Sequence, residues 1–198
     1  MSLPNPDKIQ AFETPEALNA WLQKNHKSED ELFVKIYKKA SKVPSVTWND
    51  VVLETLCYGW IDGVKKSLDD KAYLQRITPR KARSGWSKRN TEHVAKLISQ
   101  GKMHPAGLAE VNAAKADGRW ENAYAPASEM KIPDDFLKAV QQNPKVSGFY
   151  NTLNKSSLYS IAYGLSTAKK AETRERRFKK FFEMLEREEK PGFGFKQK

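Results

Sequence analysis

Residues 60–79 read WIDGVKKSLDDKAYLQRITP, two strand-like runs divided by Leu68-Asp69-Asp70. Each run alternates and carries β-branched or aromatic residues, and the Leu-Asp-Asp break between them is turn-like, so the stretch predicts a β-hairpin. Pro79 lacks the N–H that a central strand needs and ends the second run. An odd loop with Ser67 opposite Lys71 sets Val64 against Leu74, Asp62 against Arg76 and Trp60 against Thr78. An even loop sets Asp62 against Ile77. Cross-strand neighbours lie ~5 Å apart at Cβ, within reach of an ion pair, which favours the odd loop.

Outward from the hairpin, local signals place the flanking elements. Gly59 stops a helix that Thr47 opens with a capping-box pattern, Thr47 and Asp50. Trp48, Val51, Val52, Leu53 and Leu56 make that helix apolar nearly all round, which predicts burial on more than one side. ELFVKIYKK (31–39) alternates, with Leu32, Val34 and Ile36 on one face, and predicts another strand. Thr14 and Pro15 open an earlier helix ended by Asn25-His26. Ser87 caps a helix with Val94, Leu97 and Ile98 inward, and a short helix follows Pro105.

ENAYAPASEMKIP (121–133) reads as a linker, and the remainder is helical. Phe136, Leu137 and Val140 form one stripe. Val146, Phe149, Tyr150 and Leu153 form a second, Leu158, Ile161, Ala162 and Leu165 a third, and Phe178, Phe181, Phe182 and Leu185 a fourth, all at helical spacing. The tail PGFGFKQK (191–198) reads as mobile. The expected fold class is α+β: a short antiparallel sheet backed by helices in a domain spanning 1–125, then a helical C-terminal domain, 126–198.

Composition narrows the function classes. The 198 residues are 39% hydrophobic and 11% aromatic, enough for a true core. The net charge of +11 favours anionic partners. One cysteine, Cys57, permits no intrachain disulfide, and its place in an apolar helix suits a core residue. No run approaches the ~20 apolar residues of a membrane span. The opening MSLPNPDKIQAFETPEAL lacks signal-peptide character, so a cytoplasmic protein is expected. His26, His93 and His104 show no metal spacing and no spacing to Cys57; His93 and His104 read as surface residues. Neither a metal nor a cofactor is expected.

The basic charge is concentrated between Lys65 and Lys102, around RITPRKARSGWSKRN (76–90). Arg76 and Arg80 suit carboxylate or phosphate oxygens. Trp60 and Trp86 would wall a pocket, Asp62 would orient Arg76, and the helix at Ser87 would offer backbone donors. These six residues form the candidate site for an anionic small molecule. A second reading makes the 65–102 stretch a nucleic-acid-binding surface. A third makes Asp62 a base and Arg76 an electrostatic stabiliser in an enzyme, but no second titrating partner accompanies them.

The order TWNDVVLETLCYGWIDGVKK, RITPRKARSGWSKRN, GKMHPAGL and STAKKAETRERR resembles the YdeI/OmpD-associated, or bacteriocin-protection, proteins. The resemblance runs from about Leu32 to Glu186. It rests on Trp48, Gly59, Trp60, Asp62, Gly63, Arg76, Thr78, Pro79, Arg80, Ser84, Trp86, Ser87 and Asn90. It implies protection against bacteriocins or antimicrobial peptides, association with an outer-membrane porin, no established enzymatic activity or cofactor, and a small helical C-terminal domain; the leading reading is a non-enzymatic binding or stress-tolerance protein.

Overall fold

The computed structural model describes residues 4–126 and 129–192. The chain divides into two compact units, Met1–Ala123 and Tyr124–Lys198. Two of the expected linker's residues, and the expected mobile tail from residue 193 on, lie outside the described residues.

In the first unit, β1 (Ile9–Ala11) precedes α1 (Pro15–Asn25), β2 (Leu32–Tyr37), α2 (Trp48–Cys57), β3 (Trp60–Ser67), β4 (Ala72–Pro79), α3 (Lys88–Ser99) and α4 (Pro105–Ala116). The sheet order is β1-β2-β4-β3. β2 and β3 both run antiparallel to β4, and β1 joins β2 in parallel. The sheet is therefore mixed. β1 has three residues, too few to show an alternation in the sequence.

The cap signals are met. Thr14 Oγ1 accepts from the Ala17 N–H, Ser87 Oγ from that of Asn90, and Thr47 and Asp50 form the reciprocal box. Gly59 ends α2 at φ +73, where a Cβ would lie 3.1 Å from the Ala106 carbonyl oxygen, so only glycine fits. One core unites Leu32, Val34 and Ile36 of β2 with Val51, Val52 and Leu56 of α2 and with Trp60, Trp86 and Val94.

The hairpin forms with a different register. Ser67 pairs with Tyr73, Lys66 with Leu74 and Lys65 with Gln75, and beyond an irregularity Asp62 pairs with Ile77 and Trp60 with Pro79. Gly63 and Val64 together oppose Arg76, a β-bulge. Gln75, buried in the sheet, holds it by donating Nε2 to the Gly63 carbonyl at 2.8 Å. At the turn, Asp69 Oδ1 accepts from the N–H groups of Lys71 and Ala72, both at 2.7 Å. The bulge moves Asp62 onto the face of Ile77, opposite to that of Arg76. The expected Asp62–Arg76 pairing is thus overturned.

In the second unit α5 (Asp134–Gln142), α6 (Pro144–Tyr150), α7 (Lys155–Ser166) and α8 (Ala171–Glu186) bury Phe136, Val140, Val146, Ile161, Leu165, Phe181 and Leu185 in their own core. The helical stripes of the sequence are its seams.

Candidate functional site

Of the six residues expected to form one site, Arg80 and Trp86 are brought together, while Trp60, Asp62, Arg76 and Ser87 have separate partners. Trp60 is 1% exposed; its Nε1 donates to the His26 carbonyl at 3.2 Å, and its ring meets Trp21 edge-on at 5.9 Å. That carbonyl belongs to the residue capping α1, so the indole satisfies a helix end. Arg76 Nε pairs with Glu31 at 2.6 Å. Asp62 instead accepts from Trp48 Nε1 at 3.1 Å. Asp62 does orient a neighbour, but the neighbour is Trp48.

Arg80 and Trp86 are buried against each other. Arg80, expected to hold an anion, is 6% exposed, and its Cζ lies 3.6 Å from the Trp86 ring centroid. Its Nη1 donates to the Gly85 carbonyl at 3.3 Å. Arg119, equally buried, donates Nη1 to the Ser84 carbonyl at 2.9 Å and Nε to Asp117. Trp86 packs on Trp120 at 5.0 Å. Two backbone carbonyls of this loop, those of Ser84 and Gly85, are thus taken by guanidinium groups, while Lys81 and Arg83 stay exposed. Ser87 is the cap of α3.

An aromatic side chain does reach solvent, at a position the sequence assigns to the buried helix. Trp48 is 38% exposed at the first turn of α2, where that helix meets the edge strand β3. Asp62 holds its indole N–H. Arg89, on the first turn of α3, sits with Cζ 5.2 Å from the ring centroid, and its Nε donates to His93 Nε2 at 3.3 Å. Burial and the Arg89 charge keep the His93 imidazole below its usual pKa. Lys81, Arg83, Lys88 and Arg89 are exposed, and among the described residues none forms an ion pair.

A separate concavity of about 470 Å³ opens between α1, the end of α2 and the segment leading into α4. Glu54, Cys57 and Tyr58 line it from one face of α2. Asn19 donates Nδ2 to Glu54 at 2.6 Å and accepts from the Tyr58 hydroxyl at 3.0 Å. Burial raises the Glu54 pKa, the Asn19 hydrogen bond opposing it. Burial also pushes the Cys57 thiol up to about 12, which leaves no thiolate for nucleophilic work at neutral pH. In sequence, the i, i+4 pair Glu54/Tyr58 was the available signal. Its partner Asn19 lies 35 residues from Glu54 and had none.

His104 is not a plain surface residue. Its ring stacks on Tyr58 at 4.9 Å, and Nδ1 caps α4 by accepting the Ala106 N–H at 3.2 Å. Desolvation first, then His26 and Lys27, lower its pKa. Protonation would turn this acceptor into a donor and strip the cap. Because the folded pKa is depressed, the contribution is complete above the unfolded value of about 6.5 and is lost as pH falls through the folded value. Melting temperature should therefore drop between about pH 7 and about pH 5, and His104→Asn, which caps without titrating, should flatten that slope. An unchanged slope would remove His104 from the account.

Among the described residues no three His, Cys, Asp or Glu side chains gather as for a metal ion, and no helix is long and apolar enough to cross a membrane. The fold is an α+β unit followed in the chain by a helical unit. The chain belongs to the family described as Domain of unknown function (DUF8412), whose model matches residues 10–110, just over half of it. Residues 129–188 match the family described as Bacteriocin-protection, YdeI or OmpD-Associated. That second match supports the resemblance seen in the sequence and falls on α5–α8, C-terminal to the Trp- and Arg-rich motifs. No curated protein and no solved structure matches the chain.

Proposed function

We propose that this chain is a non-enzymatic binding protein of the stress-tolerance kind, and that it receives an anionic small molecule beside Trp48 and Arg89. One observation carries the reading: an exposed indole, fixed by Asp62 at 3.1 Å, lies under a guanidinium that no acid pairs with among the described residues. A fixed aromatic face beside an arginine suits a ligand that joins a flat apolar part to a carboxylate or phosphate. Lys88 precedes Arg89 on the same turn and adds charge. In this reading Trp60, Arg80 and Trp86 build the frame, Ser87 starts the helix that carries Arg89, and Asp62 positions the stacking face.

Melts of wild type, Trp48→Ala and Arg89→Ala with phosphate, sulfate, nucleotides and aromatic carboxylates test it. An anion at about a hundred times its dissociation constant should raise wild-type stability by about 2.7 kcal/mol, with the gain lost in Arg89→Ala. Equal gains in all three proteins would reject the site. Tight binding of duplex DNA whose affinity falls by about 0.9 log unit per phosphate contact per tenfold salt would move the assignment to nucleic acid.

A further inference from the structure

The concavity beside Tyr58 has a polarity opposite to that of the chain as a whole. The protein carries a net charge of +11, yet this wall presents the carboxylates of Glu16 and Glu54 against the single cation of Lys102. His104 adds no charge while its Nδ1 accepts the Ala106 N–H.

The hydrogen-bond directions add to this. The Asn19 amide has its nitrogen on Glu54 and its oxygen on the Tyr58 hydroxyl. The phenolic proton is therefore committed to Asn19, and the Tyr58 oxygen keeps acceptor capacity only. Glu54, as a carboxylate, is an acceptor too. Among the described residues it receives one side-chain hydrogen bond, from Asn19. Lys102 does not fill the place: it forms no ion pair with Glu54 or Glu16. A half-buried carboxylate with one hydrogen-bond partner, facing open space, disfavours its own charged form: burial raises the Glu54 pKa, with the Asn19 bond and the unbonded Lys102 charge opposing it. A cationic donor would reverse that cost. Ala20, Met103 and Pro105, which line the cavity alongside the polar Gln23, give an alkyl chain apolar contact.

We infer that this cavity binds a small primary ammonium ligand, with the Glu54 carboxylate and the Tyr58 oxygen taking its N–H donors and Met103 and Pro105 covering its alkyl part. The ligand's charge is opposite to that of the ligand proposed at Trp48, and the two sites share no residue.

The test is calorimetric titration of the whole chain with n-butylammonium, with butyrate and tetramethylammonium as controls. Binding of butylammonium, with butyrate silent and tetramethylammonium weaker for want of an N–H, is expected. Glu54→Gln keeps the acceptor for Asn19 but not the charge, and should weaken butylammonium by about tenfold or more. Its melt without ligand should match or exceed that of wild type, which shows the fold intact. Tyr58→Phe should weaken binding by a smaller factor. No heat from butylammonium at tens of millimolar, or equal affinity in wild type and Glu54→Gln, overturns the inference. So does binding seen only in Lys102→Met, because Lys102 would then be the cavity's own occupant. Arg89→Ala should leave this titration unchanged, so each of the two sites can fail without the other.

Discussion

Trp86→Ala should lower stability by about 3–5 kcal/mol, with or without any anion present. The ring is 1% exposed and lies between the Arg80 guanidinium, 3.6 Å from its centroid, and Trp120 at 5.0 Å. Truncation removes a large buried surface and the indole face that covers the Arg80 guanidinium. Arg80→Ala should then cost well over the ~0.5 kcal/mol expected of an exposed charge. A double-mutant cycle should show the two changes coupled by about 0.5–2 kcal/mol. Urea unfolding of the four proteins measures all of this. A loss below ~1 kcal/mol for Trp86→Ala would return Trp86 to the role of a solvent-facing stacking wall.

Gly107→Ala should also be strongly destabilising, although alanine is by nature the better helix former by about 1 kcal/mol. An added Cβ would clash with the Cys57 carbonyl oxygen and stand 2.7 Å from that of Leu56. Both are backbone atoms at the end of α2, so neither can swing aside, and α4 must retreat. Overpacking of this kind costs about 1–3 kcal/mol and occasionally more. Gly148→Ala is the matched control: nothing lies within 4 Å of its added Cβ, and stability should rise by about 0.4–1 kcal/mol. Chemical denaturation that ranks Gly107→Ala level with Gly148→Ala would show that α2 and α4 do not pack this closely. Because His104, which lines the cavity beside Tyr58, is the N-cap of α4, a retreat would also open that cavity.

The sequence by itself determined the elements whose causes are local. Thr14, Thr47 and Ser87 each bond backbone N–H groups within their own first turn, so the helix starts were legible from three or four residues. Leu32, Val34 and Ile36 alternate, and the stripes from Phe136 to Leu185 repeat at helical spacing, because burial on one face imposes those periods. The hairpin was legible from its two runs and the Asp-Asp break. The contacts of the candidate residues were not: Asp62 was read as the partner of Arg76, and its hydrogen bond is with Trp48. Tertiary structure alone decided that partner. The bulge at Gly63–Val64 depends on Gln75, twelve residues away, reaching across to the Gly63 carbonyl. One inserted residue flips every side chain beyond it to the other face, so Asp62 meets Trp48 and Arg76 meets Glu31. Likewise, nothing near Arg80 announces that it lies buried under Trp86, since the carbonyls of Ser84 and Gly85 are drawn in by Arg119 and Arg80 from different parts of the chain. Side-chain-to-backbone bonds of that kind leave no period and no spacing in the sequence.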